Sequence, residues 1–176
     1  MVKKEFLYLF LMISLFSTGC STISHELYTG RDLKIGVIGD APKVAETIFF
    51  ADMTFEELEK DRMTVHSQHD AIFIMPEKLT EADAEKFVEV YKQLRIPIFF
   101  IGTTKAAIPF TFEDASYSKV ADVSPKSYAA GYLYNPDNQL GQQWRFIKEK
   151  EDNEKITEKE IKKIYSEIFN TISSIN

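Results

Sequence analysis

Residues 71–101 read AIFIMPEKLTEADAEKFVEVYKQLRIPIFFI, two apolar runs around a stretch of helical periodicity. Ala71–Met75 and Ile96–Ile101 show no polar alternation, the pattern of strands buried on both faces. Between them, Thr80-Glu-Ala-Asp83 has the form of a capping box. Ala84, Phe87, Val90, Tyr91 and Leu94 follow it at spacings that share one helix face. This predicts a helix over Leu79–Arg95 lying on a sheet. A strand, a helix and a second parallel strand make a right-handed βαβ crossover, the unit of α/β folds.

The same logic extends outward. Leu33–Gly39 (LKIGVIG) is a third apolar run, closed by Gly39-Asp40 and Pro42, and reads as a buried strand and turn. Thr47–Phe50 (TIFF) reads as a short strand, because Thr54-Phe-Glu-Glu57 beyond it looks like a fresh cap opening a helix at Phe55–Asp61. Past Gly102 the stretch Thr103–Ala129 is polar and punctuated by prolines, predicting loops and short helical turns. Ala130–Tyr134 and Gln142–Ile147 flank Asn135-Pro-Asp-Asn138 and predict a β-hairpin. Its alternating aromatics, Tyr132 with Tyr134 and Trp144 with Phe146, suggest one buried face. Thr157-Glu-Lys-Glu160 is a second capping box. Ile161, Ile164, Tyr165, Ile168, Phe169 and Ile172 form one stripe, predicting a helix over Glu158–Ser173. The expected fold is α/β: a three-layer sandwich with a mainly parallel sheet of about four strands, plus a C-terminal β-hairpin and a terminal helix. No repeat, low-complexity tract or linker divides residues 33–176, which are expected to form a single α/β domain.

Of the 176 residues, 44% are hydrophobic and 27% charged, which suits a folded globular chain. The net charge of −6 disfavours nucleic acid as a partner. The one lysine-dense stretch, Lys148 to Lys163, is interleaved with Glu149, Glu151, Asp152, Glu154, Glu158 and Glu160. The same balance disfavours an electrostatic grip on anionic lipid. Cys20 is the sole cysteine, so no internal disulfide and no thiolate cluster within the chain is available.

Signals for chemistry are sparse. Gly36-Val-Ile-Gly39-Asp40 ends a strand where nucleotide folds place a glycine loop, yet it lacks the Gly-x-Gly-x-x-Gly pattern and reads as a turn. His66-Ser-Gln-His69 has a spacing seen in metal sites, but no third ligand is patterned around it. It is expected just before a strand, outside any helix, as a surface pair with no metal. No nucleophile elbow, Walker loop or zinc-protease motif occurs, so no catalytic residue and no cofactor is expected. The rule for open parallel sheets places any ligand crevice at the carboxyl ends of the strands, which nominates Asp40, Glu77, Thr103, Thr104 and Lys105. Tyr117, Tyr128, Tyr132 and Tyr134, with Trp144 nearby, read as the core of the hairpin; exposed, they would make a patch for an envelope protein or a cell-wall glycan.

The amino end carries an address. Lys3 and Lys4 precede Phe6–Phe16 (FLYLFLMISLF), which is apolar apart from Ser14 and too short for the ~20 residues of a membrane span. Small residues follow, and Ser17-Thr18-Gly19-Cys20 resembles the lipobox of bacterial lipoproteins, with Ser17 where Leu is usual. The resemblance covers residues 1–20. It implies a signal peptide over residues 1–19, cleavage before Cys20, diacylglycerol on the Cys20 sulfur and often an acyl chain on the new amino group. Two or more chains hold a protein stably on a membrane. Residues 20–32 then read as the lipidated cysteine and a polar tether. The chain is accordingly expected on the extracytoplasmic face of a cell membrane, as a non-catalytic interaction or accessory lipoprotein. The alternatives are a small-ligand binder using the strand-end crevice and an envelope hydrolase.

Overall fold

The apolar runs at Leu33–Gly39, Ala71–Met75 and Ile96–Ile101 become strands of one sheet. The computed structural model describes residues 27–149 and 155–175, so the signal peptide expected over residues 1–19, Cys20 with residues 21–26 of the expected tether, residues 150–154 and Asn176 lie outside the described residues. Strands β1 (Leu33–Ile38), β2 (Ile48–Asp52), β3 (Ala71–Ile74) and β4 (Ile98–Ile101) run parallel. The hairpin strands β5 (Ser127–Asn135) and β6 (Leu140–Ile147) do not stand apart from that core. β5 pairs antiparallel with β4, so the described residues form one mixed sheet of six strands, in the order β2-β1-β3-β4-β5-β6, where about four were expected.

Side chains alternate across a strand, and here both faces are apolar. Ile72, Ile74, Ile98 and Phe100 enter one hydrophobic cluster, and Ala71, Phe73, Phe99 and Ile101 enter a second. The first cluster is covered by α1 (Phe55–Lys60), α2 (Arg62–Gln68), α3 (Leu79–Ala82), α4 (Lys86–Gln93) and α5 (Ile108–Thr111). The second is covered by α6 (Glu158–Ile175), whose Ile164, Tyr165, Ile168, Phe169 and Ile172 are buried. Burial on both sides reaches β5, because its place inside the sheet removes the solvent face expected for a free hairpin.

Two capping boxes form as the sequence suggests. The Thr54 hydroxyl accepts from the Glu57 N–H at 3.2 Å while the Glu57 carboxylate accepts from the Thr54 N–H at 2.8 Å; Thr157 and Glu160 repeat the exchange at the start of α6. The expected box at Thr80 and Asp83 does not form. The helix predicted over Leu79–Arg95 is instead split into α3 and α4, and Asp83 Oδ2 turns away to accept the Tyr117 N–H at 2.7 Å. Buried Tyr91 spans the break, its hydroxyl donating at 2.9 Å to the Ala82 carbonyl that the interruption leaves open. Helix α2 was not foreseen. Asp61 caps it by accepting the Thr64 N–H at 3.1 Å, which places His66 inside a helix, contrary to expectation. Tyr28, read as tether, is packed in the second cluster with its ring 5.9 Å from that of Phe169.

Among the described residues no helix is long and apolar enough to cross a membrane. Phe169 is the ring on which the second face closes, touching Phe73, Tyr165 and Tyr28. Phe169→Ala is expected to lower stability by about 3–5 kcal/mol, the range for a large cavity in a packed core. Thr157→Ala, which removes only the cap, should cost about 1 kcal/mol. Urea titration of both variants checks the ranking.

Candidate functional site at the strand ends

In this sheet β1 has β2 on one side and β3 on the other, so the chain reverses its direction of travel at β1. Such a reversal opens a crevice between the carboxyl ends of the two strands where the connections part, here β1 and β3. Gly39 and Asp40 leave β1 at this point, and Met75, Pro76 and Glu77 leave β3. Gly39 holds φ +115°, a backbone conformation that L side chains rarely adopt. Its turn aims the Asp40 N–H at Glu77, whose Oε1 accepts it at 2.7 Å. A backbone amide at a strand end is a group that an anionic ligand can use. The protein's own carboxylate occupies that place, and a Cβ added at Gly39 would lie 2.3 Å from the same oxygen.

The other nominated residues belong to a different neighbourhood. β4 is one strand further from β1, and the segment after it is tied into the loop ahead of β5. Thr103 is fully buried and its hydroxyl accepts from the Lys105 N–H at 3.2 Å. Thr104 donates to Asp122 Oδ1 at 2.6 Å. Lys105 Nζ donates to the Val120 carbonyl at 2.6 Å, lies 3.3 Å from Asp122 and sits over the Tyr117 ring at 5.3 Å. The Thr104 hydroxyl, and then Lys105, hold the Asp122 carboxyl below the usual carboxylate range. These contacts fasten a proline-containing loop. Asp40 and Glu77 therefore meet, whereas Thr103 bonds within its own turn and Thr104 and Lys105 partner Asp122, Val120 and Tyr117, none of which sequence spacing pointed to.

The histidines keep separate roles. His69 Nδ1 lies 3.1 Å from the Val65 carbonyl, and burial pushes the imidazole below its ordinary value. Among the described residues no group of three His, Cys, Asp or Glu is placed to hold a metal ion. The tyrosines do not gather. Tyr117, Tyr132 and Tyr134 pack on the first cluster and Tyr128 and Trp144 on the second, so the sheet itself separates them. Tyr128 and Tyr165 stand edge to face at 6.4 Å, and burial holds the Tyr165 phenol far above its ordinary value.

Comparison with protein-family models, curated proteins and solved structures finds no match to this chain. The site has to be read from its own geometry, and its polar groups are largely bonded to one another.

Two tests follow from those bonds. Glu77→Ala should cost about 1 kcal/mol for the lost charge-assisted bond. Gly39→Ala should cost more, through backbone strain plus the clash, and the double variant less than the sum, because removing Glu77 relieves the clash with its carboxylate and leaves only the one with Met75 Cβ at 2.7 Å. Chemical denaturation of the three proteins measures the coupling. A second test concerns alkaline pH. The folded state keeps the Tyr165 proton where the unfolded chain, with a phenol near pH 10, loses it. Stability should hold below about pH 10 and fall above it, and Tyr165→Phe should flatten that fall in urea midpoints taken across the range.

Proposed function

We propose that this chain is an extracytoplasmic lipoprotein of a bacterial cell membrane, anchored through acyl chains on Cys20 and serving as a non-catalytic interaction or accessory module. The observation that carries this is the succession of Lys3 and Lys4, the apolar run Phe6–Phe16, and Ser17-Thr18-Gly19-Cys20, with the sole cysteine at the acylated position. Burial of Tyr28 supports it, because the span between Cys20 and the packed body is then short. The body itself is a three-layer α/β sandwich in this account, with α1 to α5 on one face of the sheet and α6 on the other. Its partner is an envelope protein or a cell-wall glycan. A small-ligand-binding or hydrolytic role has less support, since Glu77 takes the Asp40 N–H at the end of β1 and Lys105 is committed to a loop.

Growth of a bacterial host with a tagged palmitate analogue should label the chain, and mass analysis should place its amino end at Cys20. Cys20→Ser should abolish the label and leave the protein unanchored. An unlabelled wild-type chain that keeps residues 1–19 would overturn the proposal.

A further inference from the structure

A local group of cations, Arg62, Lys92 and Arg95, stands at one end of this acidic molecule. Between α4 and the tip of the β5–β6 hairpin lies a cleft of about 570 Å³ whose lining includes Arg62, Met63, Lys92, Arg95 and Pro136. Its single lining carboxylate, Glu89, accepts from Lys92 at 2.6 Å. Arg62 donates to the Glu59 carbonyl at 2.7 Å, which leaves its charge unneutralised, and Arg95 has no ion-pair partner among the described residues. A surplus of positive charge thus gathers on a protein of net charge −6. Met63, in the cleft lining, is an apolar side chain at 73% exposure.

Register places this surface at the amino ends of the parallel strands. Ile98, the first residue of β4, pairs with Tyr132, so Tyr134 and Asn135 run past that end and the hairpin tip projects beyond it. The chain enters β1 at the same end, where Arg31 bridges to Asp70 at 2.8 Å just ahead of β3. From Cys20 to Leu27, at roughly 3.5 Å per residue, the reach is at most about 25 Å. A lipid on Cys20 therefore keeps the end bearing Arg62, Met63 and Arg95 close to the bilayer.

We infer that this end, centred on Arg62, Met63 and Arg95, seats on the anionic phospholipid surface that holds Cys20. The inference rests on the lipid-anchoring proposal above. Guanidinium groups pair with headgroup phosphates within about one Debye length, ~10 Å at ordinary salt. Met63 enters the headgroup boundary, as exposed apolar side chains do at membrane surfaces. The acidic remainder is repelled, which turns the carboxyl ends of the strands toward the envelope.

The test uses the acylated chain that begins at Cys20, in vesicles of phosphatidylglycerol or of phosphatidylcholine. The rate of Met63 oxidation by dilute peroxide is read by peptide mass. Oxidation should be about three-fold or more slower in phosphatidylglycerol, with the difference lost at high salt, where screening is short. Arg62→Glu with Arg95→Glu, both outside the core, should abolish the difference while circular dichroism stays unchanged. Equal rates in the two vesicle types on a chain whose mass confirms acylation overturn the seat alone. A mass without acyl chains on Cys20 overturns the anchoring and the seat together. Slowing seen only when envelope protein or peptidoglycan is added also overturns the seat, in favour of a macromolecular partner.

Discussion

Phe73, in the middle of β3, is fully buried and meets the rings of Phe50, Phe99, Tyr165 and Phe169. Its neighbours Ile72 and Ile74 are equally buried on the opposite face. A strand without a water-tolerant face imposes a constraint that the rest of the chain must satisfy, because each such side chain left in water forfeits about 1.5–3 kcal/mol. Short helices laid down between β2 and β5 cover one side. The other side waits for α6, the last described element, and for Tyr28 at the other end of the described chain. The two ends of the body are thereby locked to the same cluster.

That constraint also shapes the polar surface. With both faces of the sheet apolar, polar side chains are driven to the ends of the strands, where they bond to each other. Glu77 closes the crevice between β1 and β3 by taking the Asp40 amide, and Asp122 takes Thr104 and Lys105. The strand-end position rule located polar residues correctly but not their partners. Hydrogen bonds across 37 and 18 residues depend on which strands are neighbours, and no local spacing encodes that.

The cationic cleft has the same origin. Arg62 begins α2, a helix separated from α1 by Asp61 alone, where the sequence reading ended its helix, while Lys92 lies in the last turn of α4 and Arg95 just beyond it. Pro136 arrives from the hairpin only because β5 docks on β4 and carries the turn past the sheet's lower edge. The overall acidity of the chain argued against any electrostatic contact with lipid. Charge acts over about 10 Å in salt, so the proposed seat depends on local arrangement and not on the total.

By itself the sequence determined the apolar strand runs, the capping boxes at Thr54 and Thr157 and the stripe of α6. These depend on period, short-range hydrogen bonds and side-chain type, all of which are written locally. It also carries the Cys20 motif, which needs no fold to be read. The tertiary structure alone decided that the hairpin joins the sheet, that Asp83 serves a loop instead of capping a helix, and that the tyrosines part to opposite faces. Each of these turns on pairing between distant segments, where the free energy lies in contacts that form only once the whole sheet is assembled.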